Sequence, residues 1–157
     1  MGFIAGRYSA VWNSLALGQT AEGFTLSHEF FKRLITGDNY GDAPQDAVYR
    51  GARMGIETRL LEYNAAAAQT LFWPYNSTIF DMGTVGRLDV ASSIAKQLVL
   101  TAVAGTTAAT VPATQTHPTT ILQEGFPVEL LYASNLREVP IRQRIYPNSS
   151  GVFGTQT

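Results

Sequence analysis

Residues 24–35 read FTLSHEFFKRLI and residues 48–63 read VYRGARMGIETRLLEY, with TGDNYGDAPQDA (36–47) between them. In the first segment Phe24, Leu26, His28, Phe30, Lys32 and Leu34 alternate with Thr25, Ser27, Glu29, Phe31, Arg33 and Ile35. In the second, Met54, Ile56, Thr58 and Leu60 alternate with Arg53, Gly55, Glu57, Arg59 and Leu61. A strand sends successive side chains to opposite faces, so this period of two predicts two long strands, each with one more apolar face. The segment between them is rich in Gly, Asp, Asn and Pro, which favour turns. Together the three segments predict a large hairpin whose tip, 36–47, stands clear of the sheet.

Working outward, Arg7 to Asn13 reads as a first strand with a turn at Asn13-Ser14. Asn64 is a good N-cap for a helix over 64–72, rich in Ala and stopped by Pro74. A helix that short has to pack on a sheet to persist. Residues 73–90 look irregular. Ala95–Val103, Pro127–Tyr132 and Glu138–Tyr146 read as further strands. In the last of these, Val139, Ile141 and Ile145 face one way and Glu138, Arg142 and Arg144 the other. Residues 104–118 carry small, β-branched and Pro residues and no carboxylate or guanidinium. They read as an extended loop, either loose on the surface or laid on a neighbouring subunit. The tail 147–157 reads as a loose arm that keeps Val152 and Phe153 as apolar contacts. The fold class expected is mainly β: a single domain over 1–157 with six to eight strands in a sandwich or barrel, one short flanking helix, a long hairpin loop and extended terminal arms.

Composition narrows the function. Of 157 residues, 45% are hydrophobic but only 15% are charged, against the usual quarter, which suits a surface largely covered by other protein. A net charge of −1 provides no basic field to gather nucleic acid. With no Cys, disulfide scaffolds, thiolate metal sites and cysteine nucleophiles are excluded. The opening Met1-Gly2-Phe3-Ile4-Ala5-Gly6-Arg7 lacks the basic and apolar regions of a secretory signal, and no apolar run reaches bilayer length. A soluble chain, or part of a soluble assembly, is expected.

Groups for catalysis are sparse. His28 sits in the apolar phase of a strand and reads as a hydrogen-bonded sheet histidine. His117, beside Pro118 in a Thr-rich segment, reads as exposed or at an interface. No nucleophile elbow, zinc-protease or phosphate-loop pattern occurs, so neither an enzyme nor a cofactor is expected. Asp38, Asp42 and Asp46 are spaced by four, whereas calcium loops place ligands at alternate positions, so no metal is expected and the cluster reads as a solvated or interfacial acidic loop. Nine Arg against two Lys suit planar pairing with carboxylates at structured contacts. The alternation of Arg with Glu along the strands fits a solvated sheet face, subunit pairing, or the wall of a polar channel.

Several stretches, taken in order, resemble the tail tube proteins (major tail proteins) of long-tailed bacteriophages. They are Phe3-Ile4-Ala5-Gly6-Arg7-Tyr8, Phe31 to Asp42, Val48-Tyr49-Arg50-Gly51, Phe72-Trp73-Pro74-Tyr75, Glu124 to Leu130 and Ile141 to Pro147. The resemblance implies a virion structural protein, assembled in the host cytoplasm, whose hexameric rings stack into a hollow tube for genome delivery. It implies self-assembly, passage of a tape measure protein and of double-stranded DNA without specific binding, a sheath partner if the tail contracts, and no membrane. It also implies that Asp38, Asn39, Tyr40, Asp42 and Asp46 contact the adjacent ring, that Glu29, Glu57 and Arg59 lie near the lumen, and that the arm with Val152 and Phe153 meets a neighbouring subunit. One feature strains the comparison: the polar sides of the long strands carry five Arg against three Glu, whereas a DNA-repelling lumen wants net negative charge. A tail-completion, baseplate or secretion-system ring would share the fold. A carbohydrate-binding or adhesion sandwich with a platform of Trp12, Trp73 and Tyr75 is the alternative of another class.

Overall fold

The alternating segments form the hairpin that their period predicts. The computed structural model describes residues 8–17, 20–61, 65–76, 78–102, 114–130 and 138–157. The strands are β1 (Tyr8–Trp12), β2 (Leu15–Ala16), β3 (Thr20–Thr36), β4 (Pro44–Leu60), β5 (Lys96–Ala102), β6 (Thr114–Leu122), β7 (Val139–Ile145) and β8 (Thr155–Gln156), and a single α-helix, α1 (Ala65–Thr70), follows β4. All eight strands belong to one antiparallel sheet in the order β2-β1-β5-β6-β7-β4-β3, with β8 added to β6. The mainly β expectation therefore holds. The two ends of the sheet approach one another where the Tyr8 ring stands edge-on to Phe24, centroids 5.1 Å apart.

Register explains the core. Met54, Ile56, Thr58 and Leu60 stand opposite Ile145, Gln143, Ile141 and Val139, so both strands turn the same face inward. Ala10 and Trp12 on β1 face Leu100 and Leu98 on β5, and these join Leu17, Leu71 and the β4–β7 residues in the main cluster. Trp12 is 2% exposed and its Nε1 donates to the Thr120 carbonyl at 2.9 Å, which ties β1 to β6 through the core. A smaller cluster of Ile94, Ala95 and Ile121 carries Tyr75 and Tyr146. Both hydroxyls donate to Asp89, at 2.5 and 2.7 Å, pinning the long 71–95 connection to the sheet. Burial, reinforced by Asp89, pushes both phenols up to about 12.

Several expectations are corrected. The tip does not begin at 36 or end at 47: the ladder continues to Thr36 and resumes at Pro44, leaving 37–43 outside it, with a 3₁₀ turn at Asp38–Tyr40. Pro44 is the first residue of its strand, where a missing N–H is tolerated. The helix ends at Thr70, not 72, where the Thr70 hydroxyl donates back to the Ala66 carbonyl at 2.7 Å; Asn64 lies outside the described residues. The expected strand at 127–132 has no regular structure over 126–130, and its last residues lie outside the described ones. The expected loop 104–118 is overturned at its C-terminal end, because 114–118 belong to β6. Pro118 obscured that strand; it sits where the β5–β6 register shifts between Lys96 and Leu98, an irregularity that spares a proline from donating to the ladder. The remainder of that loop, and the N-terminal arm, lie outside the described residues.

The histidines exchange roles. His28 is exposed and meets the Phe30 ring edge-on at 5.3 Å. His117 is 3% exposed; its Nδ1 lies 3.1 Å from the Phe153 carbonyl, while Nε2 is buried without a partner among the described residues. The tail is consequently not a loose arm. β8 pairs with Gln115 and Thr116, and Thr114 and Thr157 exchange both backbone hydrogen bonds at 3.1 and 2.9 Å. Gly154 makes this passage possible, since a Cβ there would lie 2.5 Å from the Thr116 carbonyl oxygen.

Two outcomes are expected. Burial lowers the His117 pKa from 6.5, opposed only by the Phe153 carbonyl, so the unfolded chain binds the proton more readily. Stability should be full above pH 6.5 and should decline as pH falls through the lower folded value, and a His117→Gln variant should flatten that slope in thermal melts while His28→Gln keeps it. Gly154→Ala should unlatch β8, read as lost hydrogen-exchange protection at Thr114 and Thr157 with protection of β4 and β7 retained.

Candidate assembly surface

Beyond Met54 the hairpin continues without support. β7 pairs with β4 only from Met54 to Leu60, so residues 44–53 have no ladder on that side among the described residues. β3 closes the strand order and, among the described residues, has β4 as its only ladder partner. The outer half of the hairpin is thus a two-stranded arm, 29–36 against 44–53, of eight residues on one strand and ten on the other, roughly 25–30 Å long at about 3.3 Å per residue. Both of its edges present unpaired N–H and C=O groups, which ordinarily invite another strand.

Its side chains are as unusual as its edges. Phe30, Phe31, Leu34, Ile35, Tyr40, Val48 and Tyr49 are all exposed, and Leu34 and Tyr49 each retain 60% of their accessible surface. Phe30 and Phe31 are consecutive, as are Leu34 and Ile35, so apolar groups occupy both faces. A bulge adds twist: Phe31 faces Gly51 and Lys32 faces Tyr49, leaving Arg50 as the extra residue, with Gly51 at φ 120°. Phe30 leans edge-on against Tyr49 at 6.0 Å, and the Arg53 guanidinium lies 5.4 Å from the Phe31 ring centroid. These contacts order the arm without covering it.

The acidic residues gather at its end. Asp38, Asn39 and Tyr40 form the 3₁₀ turn, Asp42 follows Gly41, and all are exposed. Asp46 falls within β4 instead, and its Oδ1 accepts from the Ala47 N–H at 2.7 Å. The other expected contacts divide. Val152 is 44% exposed, whereas Phe153 packs on the chain's own core.

At the root of the arm, the face opposite the core carries the charges. Arg53 reaches Glu29 at 2.6 Å and Arg59 reaches Glu138 at 3.5 Å. Arg144 holds Glu124 through both Nε and Nη2. The Glu124 carboxyl is held below its usual value by its own backbone N–H and by Arg144, against a burial effect that raises it. Glu57 stands opposite Arg142 in the ladder, and the two make no ion pair. Ser27, Gly55, Gln123, Arg53, Arg142 and Arg144 surround a polar cavity of about 300 Å3. Three of the five Arg counted in the sequence are thus paired within one subunit, Arg144 by Glu124, while Arg33 and Arg142 make no ion pair among the described residues. Exposed pairs of this kind are worth at most about 1 kcal/mol each, so they set orientation more than stability.

The sequence reading missed the exposed apolar groups. The signal was present as two adjacent apolar pairs in FFKRLI, which a strand with one buried face does not need. A second exposed apolar run, Ile79, Phe80, Met82, Val85, Leu88 and Val90, lies in the irregular connection after α1. Trp12 is buried and cannot share an exposed platform with Trp73 and Tyr75. No helix among the described residues is long and apolar enough to cross a membrane. No protein-family model matches the chain, and no curated protein matches it.

Replacing both Phe30 and Leu34 with Thr keeps strand propensity and removes apolar surface. Folding stability should move by no more than about 0.5 kcal/mol per site, as for exposed positions elsewhere. Self-association measured by sedimentation velocity should fall sharply; unchanged association would show that the arm is not the contact.

Proposed function

We propose that this chain is a structural, non-enzymatic subunit of a bacteriophage tail tube, in which six copies form a ring and rings stack into a hollow conduit for the genome. The observation that carries the reading is the arm: two unpaired edges and two apolar faces on a projection with little support from its own domain. An isolated two-stranded ribbon is marginal in water, so such a projection calls for a protein partner. A single type of subunit that offers an arm at one place and receives one at another makes a heterologous contact, which closes into rings or extends into filaments. In this reading Asp38, Asn39, Tyr40 and Asp42 at the tip meet the adjacent ring, and the charged face with Glu29, Glu57 and Arg59 lies toward the lumen. The pairing of Arg53, Arg59 and Arg144 with Glu29, Glu138 and Glu124 suits a wall that DNA and a tape measure protein slide past, because a paired guanidinium has less to offer phosphates.

The test is negative-stain electron microscopy with light scattering across a concentration series. Six-fold rings or hollow tubes are expected. Replacing 37–43 by a short Gly-Ser turn should keep the fold and the ring and abolish stacking. Tubes of normal length from that variant would overturn the role of the tip, and a monomer at every concentration, with and without a tail-tip initiator, would overturn the tube.

A further inference from the structure

A second polar cavity, of about 220 Å3, opens where the Asn13–Ser14 turn, the end of α1, the loop around Asn76 and the start of β5 converge. Asn13, Asn76, Arg87, Ser93 and Lys96 line it, together with Tyr75. It shares no residue with the arm or the charged face. Two cations line it and no carboxylate does.

The carboxylates hydrogen-bonded to its lining residues are occupied by neutral donors. Asp89 accepts from the Tyr75 and Tyr146 hydroxyls, and Asp81 accepts from Asn76 Nδ2 at 2.5 Å and from the Gly83 N–H at 2.9 Å. The cations likewise meet only neutral acceptors or none. Arg87 Nη1 donates to the Tyr75 carbonyl at 2.7 Å, and Lys96 makes no ion pair among the described residues. Asp89 and Asp81 stand one hydrogen bond behind the lining, held by these neutral donors, and the charged groups that line the cavity itself are the two cations.

The donors are also held in place. Asn13 and Ser93 adopt left-handed backbone conformations, φ 51° and 56°; at Asn13 this is what the two-residue turn between β1 and β2 requires. Each is fixed by a backbone hydrogen bond, Asn13 N–H to the Gln97 carbonyl at 2.9 Å and Ser93 N–H to the Val90 carbonyl at 3.0 Å. The side chains of Asn13, Ser93 and Lys96 have no acceptor among the described residues.

We propose that this cavity binds a tetrahedral oxyanion: phosphate, free or as the monoester of a small sugar. Lys96 and Arg87 supply charge, and Asn13, Asn76 and Ser93 supply directional donors from three separate segments. Donors converging from several sides match three or four oxygens in a tetrahedron better than the two in-plane oxygens of a carboxylate. Arg87 retains donors after serving the Tyr75 carbonyl, and Lys96 retains three.

The test uses the full chain, titrated by calorimetry and thermal melting with inorganic phosphate, a hexose monophosphate and the neutral hexose, at ionic strength matched with sodium chloride. Millimolar binding of phosphate is expected, with NMR amide shifts confined to residues 12–14, 75–76, 86–88 and 92–97. Lys96→Gln, which keeps the aliphatic stem, should weaken it about tenfold or more, the effect of one lost charge-assisted hydrogen bond. Lys32→Gln on the arm should bind as the parent does. Tighter binding of the sugar phosphate, with none of the neutral hexose, would assign the ester; equal binding would assign the free ion. Failure of both phosphates to bind, or equal binding by a folded Lys96→Gln chain, overturns the proposal.

Discussion

The fold turns on the mismatch between β4 and its inner neighbour. β4 runs 17 residues, and β7 covers only the seven from Met54 to Leu60. Where β7 is present, Ile56 and Leu60 are buried against Ile141 and Val139 and the hairpin is one wall of a core. Where β7 stops, the same two strands continue with no further ladder partner among the described residues. The core ends there because Tyr146 leaves the ladder, its backbone N–H donating to the Thr119 carbonyl at 2.8 Å and its hydroxyl to Asp89. One chain thus contains an interior built by register and a projection built by its absence.

Charge follows the same division. On the covered part, Arg and Glu sit on the face away from the core, where Arg59 pairs with Glu138 and Arg144 with Glu124. On the arm, Lys32, Arg33 and Arg50 stand among exposed aromatic and aliphatic groups. Cations beside an open strand edge oppose indiscriminate pairing between identical edges while leaving the apolar faces available. That combination favours a selective contact over aggregation.

Much of this was legible in the sequence, and the failures have identifiable causes. The alternation specified the hairpin, and over 24–26 and 54–60 its inward face, because a period of two admits a single phase once one side is apolar; from His28 to Ile35 the side marked apolar is exposed. It did not reveal where burial stops, since that depends on the length of β7, 80 residues further on. β6 was hidden because Thr114-Gln-Thr-His-Pro118 combines β-branched residues with a proline and two buried polar side chains, Gln115 and His117. Local chemistry read these as loop, whereas their setting between β5 and β8 makes them strand. Phe153 looked like a free apolar contact because nothing local discloses that Gly154 lets the tail lie against His117. At the surface, the acidic tip was found and the aromatic faces beside it were not.

The arm is also the most local part of the molecule. Its strands are joined through a seven-residue connection, whereas Tyr8 pairs with Ala102 and Trp12 reaches Thr120 across 108 positions. Hairpins close in about 1–10 μs, while ladders between distant segments wait on the loss of loop entropy. The order of events in folding is therefore the reverse of the order of support in the finished structure. A nascent chain has its exposed apolar arm shaped before it has a body to hold that arm apart from others. The interval between those two events is when open edges are most prone to mispairing, and the rate at which β7 finds β4 sets its length.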